Sequence, residues 1–355
     1  MKYVSVDTIE PGHVLARSIY ASDGRTLLSQ GVQLTVGMVN QLRRVGVQMI
    51  YIQSQYTDDI VIQDVVSEET RRMAMTNLAT AIQSVQGGKD INVKEISTTV
   101  NSIIDDVLKN RDVLLHLSDV RTHDNQLFVH SQNTCIISVL IGVKMGLPTA
   151  QLKDLAIGAL LHDLGKAVKE DKTISPLDKK LPSYVEGDGD NHTWKGFNLL
   201  RKRHDVSVVA AHIPLQHHEH VDGTGFPRGI YADDIQPLAK IVAVANRFDN
   251  LISDIDNGSA MSPHEACEVI MGLANKHFDH DVVIKFLESV ALYPTGTSVL
   301  LTTGDTGFIV GQHSGLPARP IVRVVRKSAD RDDDPEVFEV DLAKETTVFI
   351  KKVLI

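Results

Sequence analysis

Leu152, Leu155, Ala156, Ala159 and Leu160 recur at i, i+3, i+4, i+7 and i+8, and the helix they define runs straight into His162-Asp163 and Gly165. Such a stripe must face a core, so this helix packs on others. The segment Val206 to His218 repeats the arrangement, an apolar helix whose histidines come at its end, and Ile241 to Leu251 reads as a third. From Val93 to about Leu292 the pattern is almost wholly helical. A set of buried helices is satisfied by a bundle, and side chains at the ends where helices emerge line a cleft. The residues at those ends are imidazoles and carboxylates.

His217, His218 and Glu219 stand together in QHHEHVDGTGFP, and His162-Asp163 lies upstream in LLHDLGK. Neutral imidazoles and carboxylates are the usual ligands of Zn, Mn, Fe and related ions. Two such clusters on one chain suggest a multi-metal site, which activates water against phosphate esters or other polar bonds. Satisfied surface histidines are the plain alternative. Lys166 follows Asp163 by about one turn, so both face one cleft if that turn persists. The glycines of VDGTGFP permit close backbone approach.

The flanks differ from this middle. Lys2 to Ile9 alternates like a strand, SDGRTLL reads as a hairpin turn, Val36 to Val45 has helical spacing and QMIYIQ looks like a closing strand. Tyr56 to Glu69 is a polar linker, followed by a helix from about Ser67 to Val85 that stops at Gly87-Gly88. That helix mixes charge signs on its polar face, which fits a connecting or dimer-forming role better than a membrane surface. After Tyr293-Pro294, SVLLTTGDTGFIVGQ is a hairpin, PIVRVVRK and TVFIKKVL are further strands, and ADRDDDPE is an acidic solvated loop. We therefore expect a mainly α protein divided into an α+β accessory module (1–64), connecting helices (65–109), a metal-binding helical-bundle domain (110–292) and a small β-unit (293–355).

Composition narrows the partners. The net charge of -9 argues against a general DNA binder, although a local patch can still hold a small anion. Cys135 and Cys267 both lie in apolar helical patterns and read as buried free thiols, which fits a reducing compartment. MKYVSVDTIEPG has no apolar core of signal-peptide length, and no apolar run has bilayer-spanning length. The expectation is a cytoplasmic protein with no membrane insertion.

Several short motifs occur in one order: VHSQN around His130, LLHDLGK, NHTWKG with His192, then QHHEHVDGTGFPRGI. Over about residues 110 to 290 the chain thereby resembles the HD-GYP family of the HD phosphohydrolase superfamily. The stretch after YPTGT also looks like a β-tail often found behind such domains. The resemblance implies an HD-type helical bundle holding iron or manganese, and hydrolysis of cyclic di-GMP, a bacterial second messenger, to pGpG or GMP. Carried over residue by residue, it implies that His130, His162 and Asp163 bind one ion, with Asn246 in a further ligand position. Asp163 would bridge to a second ion held by His192, His217 and His218. Lys166 would contact the scissile phosphate or protonate the leaving oxygen. Asp222, Gly223 and Gly225 belong to the signature loop at the substrate, with Phe226 in the tyrosine position.

Three positions depart from the family pattern. Asn246, in AVANRFDNL, stands where the family has Asp, and loses one negative charge from the first ion's shell. Asp249 lies about 4.5 Å further along the helix at 1.5 Å per residue and cannot replace it without a shift. SDIDNGSAMS carries no Arg or Lys where the family has an Arg-Pro-Tyr-type motif that grips the nucleotide. Arg228, Lys240 and Arg247 are nearby candidates for that contact, although each also reads as a solvated surface residue. Gln126 replaces the Glu of members with three metals, so two divalent ions are expected. Glu219 reads as a partner of a ligand rather than a ligand. Two functional classes follow: a cyclic dinucleotide phosphodiesterase, or a domain of the same fold that senses the nucleotide or pairs with a signalling protein or a second copy. A phosphohydrolase of another small phosphorylated substrate is a third.

Overall fold

A computed structural model describes residues 1–21, 25–60, 62–116, 121, 125–168, 192–253, 260–326 and 335–354. The turn Ser22-Asp23-Gly24, His123, most of the acidic loop ADRDDDPE and positions 254–259 of the segment lacking basic residues lie outside the described residues.

The N-terminal module is built on β1 (Lys2–Ser5) and β4 (Met49–Ile52), paired antiparallel with Tyr3 opposite Tyr51. A short β2 (Ile19–Tyr20) pairs with β3 (Thr26–Leu28), and α1 (Val36–Arg44) begins at Thr35, whose side chain accepts from the Met38 amide. The first strand is shorter than its alternation suggests. Ser5 caps a 3-10 turn over Val6–Thr8, and the chain leaves the ladder there.

Ser67 caps α2 (Glu68–Gln86), with Glu68 and Glu69 placed favourably in its first turn. The buried face of α2, including Ala74, Met75, Leu78 and Ile82, packs on α3 (Val93–Lys109) and α4 (Gln126–Lys144). Its apolar stripe is thus used within the chain, as a connecting helix requires. One continuous core joins α2 and α3 to the helices that follow: α5 (Thr149–Leu160), α6 (His192–Leu200), α7 (Val208–Gln216), α8 (Pro237–Ile252), α9 (Pro263–Gly272) and α10 (His280–Leu287). Among the described residues α4 alone is long and apolar enough to cross a membrane, contrary to the expectation from sequence, but 78% of that window is buried. It is the central helix of the bundle, touching α2, α3, α5, α8 and α10.

The C-terminal unit is an antiparallel sheet in the order β8-β7-β6-β5-β9, made of β5 (Ser298–Leu301), β6 (Thr306–Gly311), β7 (Ile321–Arg326), β8 (Glu336–Asp341) and β9 (Ile350–Leu354). The hairpin and both further strands fall where their alternation placed them. β8 was hidden by its acidic neighbours. It forms as an edge strand because its charges face the arginines of β7, Glu339 opposite Arg323 and Glu336 opposite Arg326.

The terminal units touch each other and the bundle. The Tyr3 amide donates to Gly296 O (3.1 Å), and Arg323 donates to both carboxylate oxygens of Asp59 at 2.6 and 2.8 Å. At the root of the sheet, buried His116 accepts from the Thr295 amide at 3.3 Å. Burial, reinforced by Arg17, pushes its pKa down to about 4. A group whose folded pKa lies below its unfolded value contributes fully above the unfolded pKa, near 6.5, and loses that contribution as pH falls toward 4. We therefore expect His116→Gln to remove about 2 kcal/mol of the stability lost between pH 7 and pH 5. Urea unfolding of both proteins at the two pH values measures this, and identical pH dependence would show that His116 titrates normally.

Candidate metal centre

Helix ends leave carbonyls without intrahelical partners, and two of them build this site. At the end of α5, Ala159 O accepts from His162 Nδ1 at 2.8 Å. At the end of α7, Pro214 O accepts from His217 Nδ1, also at 2.8 Å. A carbonyl can only accept, so in each ring Nδ1 carries the proton and Nε2 presents a lone pair inward. His130, on α4, is held the same way by a carboxylate: its Nδ1 lies 2.7 Å from Asp249 Oδ2 on α8. His192 opens α6, and His218 follows His217 directly.

The Nε2 atoms then meet. Those of His130 and His162 are 3.1 Å apart, and those of His192 and His217 are 3.5 Å apart. Asp163 lies between the two pairs and is buried. Its Oδ2 is 3.7 Å from His130 Nε2, 3.5 Å from His162 Nε2 and 2.6 Å from Lys166 Nζ. Its Oδ1 is 3.4 Å from His192 Nε2 and 3.8 Å from His217 Nε2. Among the described residues Oδ1 has no hydrogen-bond partner, an unfavourable state for a buried carboxylate oxygen. Lone pairs and a carboxylate gathered at these distances repel one another unless a cation lies among them. Two nitrogens each about 2.1 Å from an ion at about a right angle are about 3 Å apart, which is close to the first spacing. The donor set therefore fits divalent ions. Among the described residues two groups have this character: His130, His162 and Asp163, and His192, His217 and His218.

The electrostatics agree. Burial pushes the His162 pKa down to about 4, partly opposed by Asp163. Burial and His192 push that of His218 down to about 3, and burial with His218 and His162 holds His217 well below its ordinary value. These rings are neutral, as ligands must be. Burial alone would raise the Asp163 carboxyl, but the Lys166 ammonium 2.6 Å from Oδ2 favours the charged form, and the carboxyl is held well below the usual carboxylate range. The C-terminal ends of α5 and α7 add partial negative charge.

Two glycines fix the spacing. A Cβ on Gly165 would lie 1.9 Å from His192 O, so only glycine lets the His162-Asp163 turn sit against the start of α6. On Gly225 it would lie 2.2 Å from the His220 amide nitrogen and 2.5 Å from His218 O, so the signature loop lies directly against the backbone of residues 218–220. Phe226, at the tip of that loop, stacks on the His218 ring at 4.5 Å between centroids.

Other residues singled out in the sequence have different work. Glu219 is buried, and its oxygens accept from the Arg228 amide at 2.9 Å and the Ile230 amide at 3.2 Å. Its carboxylate anchors the loop through these two backbone amides, in place of the ligand-orienting part expected from sequence. Asp222 accepts from the amide and hydroxyl of Thr224 at 3.0 and 2.6 Å, which shapes the turn, and Gly223 packs on the Tyr231 ring. Lys240 Nζ pairs with Asp279 at 3.3 Å. Asn246 is buried one turn before Asp249, and its Oδ1 accepts from Asn250 Nδ2 at 3.0 Å. Sequence reasoning missed the support around Asp249. Its carboxylate also accepts from Asn133 Nδ2 at 3.2 Å and from both Arg121 terminal nitrogens. The i, i+3 spacing of Asn246 and Asp249 was the one available signal.

The HD domain family model matches residues 120–282, and the model of a KOW domain associated with HD domain matches residues 298–355. A cyclic di-GMP phosphodiesterase of Pseudomonas aeruginosa, PA4108, is 30% identical over 259 residues, 72% of this chain and 61% of that protein. A cyclic di-GMP phosphodiesterase of Thermotoga maritima is 30% identical over 196 residues, 55% and 52% of the two chains. A 3'3'-cGAMP-specific phosphodiesterase 2 of Vibrio cholerae is 25% identical over 191 residues, 53% and 36% of the two chains. The chain spans about half to three fifths of the length of the first two relatives.

If the close approach at Gly165 sets the spacing of the two groups, Gly165→Ala separates α6 from the His162-Asp163 turn. The expected cost is about 2 kcal/mol or more in chemical unfolding, with loss of bound Mn(II). Gly272→Ala meets nothing within 4 Å and serves as the neutral control. Equal behaviour of the two variants would show that the spacing is set elsewhere.

Proposed function

We propose, from the match of residues 120–282 to the HD domain family model and the likeness to cyclic di-GMP phosphodiesterases, that this is an HD-GYP-type domain and that the chain is a metal-dependent phosphodiesterase hydrolysing cyclic di-GMP to pGpG or GMP. The observation that carries the reading is the division of Asp163: one oxygen faces His130 and His162, the other faces His192 and His217. Asp163 would be shared between two divalent ions, iron or manganese on our reading, with His130 and His162 holding one and His192, His217 and His218 the other. Both P. aeruginosa and T. maritima relatives carry cyclic di-GMP phosphodiesterase in their names, and the V. cholerae relative extends the plausible class to other cyclic dinucleotides.

When bound, the ions supply charge against the anionic diester and lower the pKa of a water held at the site. The rest falls to side chains. Neutral histidines hold the ions without adding negative charge, so the cleft stays attractive to a phosphate. Lys166 reaches Asp163 at 2.6 Å while its side chain stays 47% exposed, which leaves Nζ able to swing to a non-bridging phosphate oxygen or to protonate the departing ribose oxygen. The loop through Gly223, Gly225 and Phe226 forms a wall over His218 and orients that ring. Asp222 contributes by holding the turn. Both cysteines are free and buried, consistent with action in the cytoplasm.

One observation favours a weaker enzyme or a nucleotide sensor. Asn246 offers an amide where the family offers a carboxylate, and its oxygen is already engaged by Asn250. With Mn(II) or Fe(II) supplied, we expect slow but measurable hydrolysis of cyclic di-GMP, abolished by Asp163→Ala. Asn246→Asp should tighten the more weakly held ion by about tenfold or more. Binding of cyclic di-GMP by metal-loaded protein without turnover would assign the sensor role instead. Unchanged metal content in Asn246→Asp would remove that residue from the site.

A further inference from the structure

We propose that Asp249 is the positioning residue of the first metal site, selecting the tautomer and rotation of His130 that leave Nε2 free to bind an ion. This inference rests on the two-metal reading above.

Among the described residues, Asp249 is held on both carboxylate oxygens. Its side chain is completely buried, and four donors surround two oxygens. Oδ2 receives His130 Nδ1 at 2.7 Å and Arg121 Nη1 at 3.0 Å. Oδ1 receives Asn133 Nδ2 at 3.2 Å and Arg121 Nη2. The Arg121 fork meets the carboxylate edge-on, so the acid can neither rotate nor act as a donor. With its proton drawn to Nδ1, His130 must present a lone pair at Nε2, which lies 3.1 Å from His162 Nε2 and 3.7 Å from Asp163 Oδ2. His162 and His217 obtain the same constraint from helix-end carbonyls. His130 sits in the interior of α4, where the i-4 carbonyls are already engaged in the helix, so a side chain from α8 supplies the acceptor. Asn133 lies one turn further along α4 and in turn accepts from Arg71 Nη1 at 3.3 Å, which ties the clamp to the connecting helix α2.

An amide in place of the carboxylate can turn its NH2 toward Nδ1. His130 then carries its proton on Nε2 and cannot ligate. Two readouts test this. In metal-free protein labelled at histidine with 15N, long-range 1H–15N correlation should show His130 as the Nδ1–H tautomer, shifted toward Nε2–H in Asp249→Asn. With Mn(II), native protein should bind two ions and give the electron paramagnetic resonance signal of a coupled pair. Asp249→Asn should give an isolated six-line spectrum, with the first ion weakened about 10- to 100-fold and the second unchanged. Asn133→Ala, which removes one donor without touching the carboxylate, should give a smaller weakening in the same ion only.

An Nε2–H tautomer in the native protein would overturn the proposal, as would a coupled manganese pair of native affinity in Asp249→Asn. Should the native protein bind no manganese at all, the functional reading fails on its own, while the His130 tautomer still decides what Asp249 does.

Discussion

A carboxylate buried between two sets of inward-facing imidazole lone pairs is not a stable arrangement by itself. Among the described residues no donor reaches Asp163 Oδ1, and the Nε2 atoms of His130 and His162 face each other at 3.1 Å. Packing does not produce such a gathering of acceptors. It persists because each group is held from behind: His162 and His217 by helix-end carbonyls, His130 by Asp249, and Asp163 by Lys166. The fold spends its outer hydrogen bonds on keeping the inner electron pairs free, and a cation is the partner that resolves the resulting repulsion.

Placing those supports requires the bundle. The ends of α5 and α7 must meet the start of α6, and Gly165 allows the approach. α4 and α8 must lie side by side for Asp249 to reach His130. The long apolar faces of these helices therefore act at a distance on the chemistry, because they fix which helix ends share the cleft. The loop from Asp222 to Pro227 adds a second layer. The acids in and just before it serve the backbone, with Glu219 accepting from two amides and Asp222 from Thr224, and its aromatic tip stacks on His218. Acidic residues beside a metal centre thus need not be ligands. Where a backbone amide is the nearest donor, a buried carboxylate is satisfied by it at no charge penalty to the cation site.

Much of this was legible in the sequence. The apolar stripe of α5, the helix before His217 and the terminal hairpin each carry a periodicity that fits one secondary structure. The ligand-type residues follow at the ends of the helices so identified. What remained hidden is of one kind, contacts between residues far apart in the chain. Nothing local marks Asp249 as the partner of His130, 119 positions away, or of Arg121, 128 positions away. β8 was obscured because its charges look like those of a solvated loop until Arg323 and Arg326 are set opposite them. The carbonyls that orient His162 and His217 belong to the backbone and have no sequence signature beyond the helix end.

The same distant contacts join the centre to the rest of the molecule. α4 carries His130 on one face. Close by on the same helix, Asn133 accepts from Arg71 of α2, and just before the helix Asn125 donates to Tyr20 O of the N-terminal module at 3.4 Å. The module also rests on the C-terminal sheet through Tyr3 and through Asp59, which Arg323 grips. His130 and the contact with Tyr20 therefore share one rigid element, held in place by Asp249 on one side and Arg71 on the other. The one helix thus fixes both the direction of a ligand histidine and the seat of the module, although among the described residues no residue of the module belongs to the cleft's donor set.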